Sequence, residues 1–287
     1  MSLKLGIMPV LGGAGAADPG ATAAFVRLVE ELGCESVWAV EHVVIPATYE
    51  SPYPYGAGGR MPLEPLDDVP DPLEWLTFAA AHSSRLLLGT AMLILPEHNP
   101  VILAKRLCTL DQLSGGRLLA GVGVGWLREE YHAVGVPFAD RGRRADEYLA
   151  ALRELWTHEP ATFDGRYVSF TEVYSRPRPV RPGGVPLVIG GHSPAAVRRA
   201  ARYGDGLYPL GVDLAGMATL VELLHAECAR IGRDPSTIEL TAAAPRRAAD
   251  VRELAAMGVS RLMMRVFPQD LDRVRADVVR YCTEVLA

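Results

Sequence analysis

Residues 86–126, LLLGTAMLILPEHNPVILAKRLCTLDQLSGGRLLAGVGVGW, restrict the possible folds more than any other stretch. The run 86–95 is apolar and too short to cross a bilayer, so it reads as a buried strand. Asn99-Pro100 then supplies an N-cap followed by proline at the first helical position. Leu103, Leu107 and Leu110 recur at helical spacing, with Leu113 on the flank, until Ser114-Gly115-Gly116 stops the helix. Residues 118–124 form a second apolar strand that closes in Gly121-Val122-Gly123-Val124-Gly125. Two near-continuous apolar strands joined by a helix make a βαβ unit, and such a unit belongs to a parallel sheet covered on both faces.

The unit recurs along the chain. Further strands are predicted at 3–10, 36–40, 187–189, 206–210, 237–243 and 261–266. Helices follow them, opened by Asp18-Pro19, by Pro72 and by Asp140, and then spanning 195–203, 214–231, 248–257 and 270–285. Eight strand-then-helix units predict an α/β fold, a (β/α)8 TIM barrel, as a single domain over 1–287. An open doubly wound sheet is the competitor; the count of eight and the lack of a first-turn G-x-G-x-x-G argue against it. Three insertions, at about 43–71, 126–140 and 161–186, are expected as loops at the C-terminal face. The first is rich in proline, glycine and tyrosine; the third holds a hairpin turn at Phe163-Asp164-Gly165-Arg166-Tyr167.

A net charge of −5 gives no support for nucleic-acid or membrane-surface binding, and no apolar run reaches the ~20 residues of a membrane span. A cytoplasmic location is the expectation. Cys34, Cys108, Cys228 and Cys282 are far apart and read as reduced, buried thiols. The seven histidines form no metal motif, so no metal is predicted.

In such a barrel the active site lies at the carboxyl ends of the strands. Gly190-Gly191-His192-Ser193-Pro194 fits a phosphate cradle, with two glycines for close approach and a capped helix start behind them. A plain strand-to-helix turn is the alternative. Glu41-His42 offers an imidazole beside a carboxylate, able to move a proton near neutral pH. Adjacent strand residues point to opposite faces, so only one of the two can face the axis. A structural histidine is the competing reading. Gly121, Gly123 and Gly125 share one face and leave space where a flat ring could lie, or where elements pack closely. Trp126 is a candidate wall of that pocket. Glu97-His98, next to a helix cap, reads as a solvated loop, and His82, His132, His158 and His225 read as surface or packing residues.

The assembly resembles the luciferase-like monooxygenase superfamily, in its coenzyme F420 (deazaflavin)-dependent oxidoreductase branch. The resemblance rests on Ser36-Val37-Trp38 through Glu41-His42, Leu88-Gly89-Thr90-Ala91, Asn99-Pro100, and Leu110 to Arg117. Gly121 to Trp126, Gly135-Val136-Pro137-Phe138 before Arg141-Gly142-Arg143-Arg144, and Gly190 to Pro194 before Gly204-Asp205-Gly206 continue it in the same order. It implies a barrel with a flavin or deazaflavin in its mouth and a non-prolyl cis peptide behind the ring, here at Ala91–Met92. It further implies His42 as proton donor or substrate orienter with Glu41 beside it, and a cofactor phosphate on the amides of Gly191, His192 and Ser193. Thr90, Ala91, Met92, Asn99, Gly123, Gly125 and Gly190 complete the implied cofactor site, with Trp126 toward the substrate. The sugar-phosphate dehydrogenase branch has a glutamate where Trp126 stands, which argues against sugar-phosphate oxidation; His98 replaces a common arginine. The implied activity is hydride transfer between F420 and a small organic substrate. The alternatives are an FMN-dependent monooxygenase using FMNH2 and O2, served by a separate reductase, and a non-catalytic flavin-binding protein. A homodimer is the implied assembly.

Overall fold

The computed structural model of the chain describes residues 3–12, 16–56 and 58–286. Eight parallel strands close on themselves: β1 (Lys4–Pro9), β2 (Ser36–Ala39), β3 (Leu87–Thr90), β5 (Leu118–Gly123), β8 (Leu187–Gly190), β9 (Gly206–Tyr208), β10 (Glu239–Ala243) and β11 (Val259–Val266). β11 pairs with β1 from Lys4↔Arg261 to Pro9↔Val266, so no edge is left open. A two-residue strand β4 (Leu93–Ile94) pairs with β5 just beyond the end of β3, and an antiparallel hairpin, β6 (Ala161–Asp164) with β7 (Ser169–Val173), stands apart from the barrel. The (β/α)8 expectation is met.

The helices begin where capping chemistry places them. Asp18 accepts from Ala21 N ahead of α1 (Pro19–Glu31), and Asp71 from Leu73 N and Glu74 N ahead of α2 (Pro72–Ala81). Asn99 accepts from Val101 N and Ile102 N ahead of α3 (Pro100–Ser114), which ends at Gly115 in the left-handed region (φ 69°). A short α4 (Arg128–Ala133) lies within the second insertion. Asp140 precedes α5 (Arg141–Thr157) but makes no capping bond, contrary to expectation; it lies 4.0 Å from Arg144 instead. Then follow α6 (Pro194–Tyr203), α7 (Leu214–Ile231), α8 (Ala248–Ala256) and α9 (Leu271–Glu284). Among the described residues no helix is long and apolar enough to cross a membrane. Three cysteines are buried and Cys282 is partly so, all as free thiols; burial pushes Cys34 and Cys108 up to about 12.

One large apolar layer fills the space between sheet and helices, and a smaller cluster fills the barrel itself. Trp38 is its centre: fully buried, it lies so close to Gly89 that a Cβ there would sit 2.1 Å from the indole. Its Nε1 donates to Ser36 Oγ at 2.8 Å. Below it the barrel floor is polar. Arg261, 1% exposed, donates to both Glu35 oxygens and pairs with Glu239 at 2.7 Å, while Lys4 also reaches Glu239. With its floor closed by this ion cluster and its middle by Trp38, the barrel can admit a ligand only from the carboxyl end.

Candidate active site

Strand alternation decides which way the β2 end points. Trp38, Val40 and His42 follow one face into the barrel, and His42 lines the cavity at its carboxyl mouth. Glu41 turns the opposite way. It is 6% exposed, accepts from Ile94 N, and lies 3.0 Å from His98 Nε2. The implied arrangement of Glu41 beside His42 is therefore corrected: each carboxylate serves a different histidine. The partner of His42 is Glu130 on α4, whose Oε2 lies 3.0 Å from Nδ1. A carboxylate only accepts, so the proton on that edge belongs to Nδ1, and Nε2 is the ring nitrogen left for a ligand. The other Glu130 oxygen accepts from Val43 N at 2.6 Å and Val44 N at 3.3 Å. Glu130 is fully buried.

The expected solvated loop at Glu97-His98 is also corrected. A turn of 3-10 helix (Leu95–Glu97) carries the pair, and His98 turns in to Glu41. Both Glu97 carboxylate oxygens are buried without a hydrogen-bond partner among the described residues. Burial, then the neighbouring charges of Glu130 and Glu41, push this carboxyl up to about 9, so it is held protonated at neutral pH.

The neighbouring strand end, that of β3, carries a bulge into the same cavity. The Ala91–Met92 peptide bond is cis, as the family resemblance implies. Ala91 and Met92 line the cavity; Thr90 does not, being buried with its hydroxyl donating to Gly121 O at 2.7 Å. The glycine face was expected to leave room for a ring, but it receives this bulge. A Cβ on Gly121 would sit 1.8 Å from Thr90 O, one on Gly123 3.3 Å from the Met92 Cβ, and one on Gly190 2.6 Å from its Cγ. Gly125, at φ 62°, lies against Ile94 and Tyr131. The open space is thus in front of Met92, not in the glycine hollow.

The β8 end runs into α6 as a candidate cradle. Gly191 (φ 110°) allows the tight turn, but its N–H is spent on Tyr208 O at 3.3 Å, which removes it from the implied amide set. Among the described residues the amides of His192 and Ser193 make no backbone hydrogen bond, and Ser193 Oγ caps Ala196 N. The His192 side chain is exposed, with Nδ1 3.1 Å from Leu210 O. Asn99 is occupied as the α3 cap and does not line the cavity.

The main cavity encloses about 990 Å³ including its mouth, and Trp126 forms one rim with Tyr53 and Tyr49 at ring-centroid distances of 5.2 and 5.8 Å. The sequence reading missed several lining residues, Tyr208, Arg265 and Tyr53 among them. Tyr208 is 2% exposed and its hydroxyl has no partner among the described residues. Arg265 stands exposed at the end of β11. Tyr53 reaches in from the first insertion. Inspecting the ends of all eight strands would have found Tyr208 and Arg265; no local signal marks Glu130 or Tyr53. A volume of this size, an orphaned tyrosine hydroxyl and a helix start beside Gly190–Gly191 fit a phosphate-bearing flat ring.

Residues 6–278 match the luciferase-like monooxygenase family. The chain belongs to that family. An uncharacterized protein of Mycobacterium tuberculosis, Rv0953c, is 36% identical over 219 residues, 75% of this chain and 77% of that one. The F420-dependent glucose-6-phosphate dehydrogenase of Kineococcus radiotolerans is 32% identical over 230 residues, 78% of this chain and 62% of its own. The FMNH2-dependent dimethylsulfone monooxygenase of Pseudomonas putida is 32% identical over 137 residues, 47% of this chain and 38% of its own. The solved monooxygenase RslO1 from Streptomyces bottropensis shares the fold at TM-score 0.78, with 20% identity over 99% of both chains. The family holds both F420- and FMN-dependent oxidoreductases and monooxygenases.

Proposed function

We propose that this luciferase-like protein is a coenzyme F420-dependent oxidoreductase that transfers a hydride between the deazaflavin and a small organic substrate. The observation that carries the reading is His42, held by Glu130 and lining one cavity of about 990 Å³ with the Ala91–Met92 bulge. When bound, the deazaflavin supplies the two-electron chemistry. The chain's residues orient and shield. Met92 and Gly123 would form the wall behind the ring, and the Ser193 end of α6 would hold a phosphate at its free amides. His42 Nε2 gives or takes the proton that accompanies hydride transfer, with Nδ1–H fixed by Glu130. Glu41 acts through position: by taking Ile94 N and His98 it anchors the β4 turn that carries the bulge.

The second reading is an FMN-dependent monooxygenase using O2 together with FMNH2 supplied by a partner reductase, favoured by the dimethylsulfone monooxygenase relative. Titration with oxidised F420 and with FMN, read by ring absorbance, separates the two. Saturable F420 binding is expected; FMN binding without F420 binding overturns the first reading. A single domain over 1–287, a homodimer and a cytoplasmic site of action belong to the same proposal. Gel filtration at micromolar concentration checks the dimer.

A further inference from the structure

The main cavity opens sideways into a second chamber of about 490 Å³ beneath the first insertion. The two share Met8, Val40, His42, Tyr53 and Arg265. Beyond that shared wall, the annex is lined by Pro9, Val10, Leu11, Met61, Pro62 and Leu63, with no acidic side chain. It is an apolar slot whose polar groups all stand at its junction with the ring cavity. Arg265 is the only cation there and enters no ion pair or hydrogen bond among the described residues. Glu41, the one acid lining the main cavity, is committed to Ile94 N and His98. The Tyr208 hydroxyl, buried in the main cavity, likewise lacks a partner. An unpaired guanidinium at the foot of an apolar slot, with an orphaned phenol in the adjoining cavity, is complementary to one anionic oxygen group on an apolar body.

We propose that the substrate of this site is an apolar carboxylate, its carboxyl group on Arg265 and its hydrocarbon portion in the annex. The inference rests on the oxidoreductase reading for its chemistry but not for its test. The geometry orders the parts: the carboxylate lies at the junction, so the first carbons of the chain stand beside His42, which lines both chambers. A neutral amide of the same shape keeps the hydrocarbon contacts and loses the charge-assisted pair.

The test is calorimetric binding of hexanoate and of hexanamide to the full chain, with and without the cofactor that the absorbance titration identifies. Hexanoate is expected to bind saturably and at least ~10-fold more tightly than hexanamide, in line with a hydrogen bond to a charged group. Arg265→Gln is expected to remove that difference, weakening hexanoate by ~10-fold or more and hexanamide by less. Leu63→Asp, which puts a like charge in the slot, is expected to weaken hexanoate by ~10-fold or more. Equal binding of the two probes, no saturable hexanoate binding, or a preference that survives in Arg265→Gln overturns the proposal. Hexanoate binding without any cofactor titration overturns the F420 reading alone, and the converse overturns this proposal alone.

Discussion

Glu130 shows how one side chain can fix the chemistry of another. Its Oε2 faces His42 Nδ1 at 3.0 Å, which keeps the proton on that nitrogen and leaves Nε2 to the cavity. Glu130→Gln retains an oxygen for the Val43 and Val44 amides but can turn its NH2 group toward Nδ1, selecting the opposite tautomer. Turnover in the direction that needs Nε2 to accept a proton is then expected to fall by ~100-fold, with the circular dichroism spectrum and cofactor titration unchanged. Glu97 gives a different residue-scale prediction. Its folded-state carboxyl lies at about 9, far above its unfolded value, so the folded chain holds a proton that the unfolded chain releases. The stability this contributes is complete below the unfolded value, near pH 4.5, and is lost as pH rises toward 9. Glu97→Gln is expected to flatten that decline, read as the urea midpoint between pH 5 and 9.

At the scale of elements, the βαβ stretch 86–126 was legible as strand, helix and strand because each has its own periodicity and cap. Its interior geometry was not. The run 86–95 is uniformly apolar, and nothing in its hydrophobic pattern separates one strand from a strand, a bulge and a second short strand. Only the approach of Thr90 O to Gly121 explains the glycine there. Gly121→Ala is accordingly expected to lose ~1–3 kcal/mol or more in chemical denaturation and to abolish cofactor binding, since the bulge must move. Asn99→Ala provides the contrast: loss of the α3 cap costs ~1 kcal/mol, with cofactor titration intact. Helix α4 was equally invisible in its role. Glu129 and Glu130 accept amides at Val43, Val44, Glu50 and Ser51, tying the first insertion down over the barrel mouth.

Taken as a whole, the barrel is sealed at one end and open at the other. Burial raises the Glu239 carboxyl, but Arg261 and Lys4 outweigh it and hold the group below its ordinary value. A depressed carboxylate contributes stability that is present above its unfolded value and lost as pH falls through the folded one. With Glu97 acting in the opposite sense, stability is expected to peak in mildly acid solution. Arg261→Met leaves Glu35 and Glu239 with only the half-exposed Lys4 between them and is expected to cost ~3 kcal/mol, measured by urea unfolding at pH 7. The same substitution at pH 4 costs less, because Glu239 is then closer to neutral.

Residue spacing along the chain was enough for the eight βα units, their order, the caps at Asp18 and Asn99, and the strand end that carries His42. These follow from interactions within a few residues of one another, where spacing along the chain is also spacing in the structure. The tertiary structure decided the rest: that Glu130, 88 residues away, holds His42; that Met92 fills the glycine face; and that Arg265 and Tyr208 meet the same cavity. Closing the barrel brings the ends of all eight strands onto one ring, and a pairing made across that ring has no periodicity along the chain from which to read it.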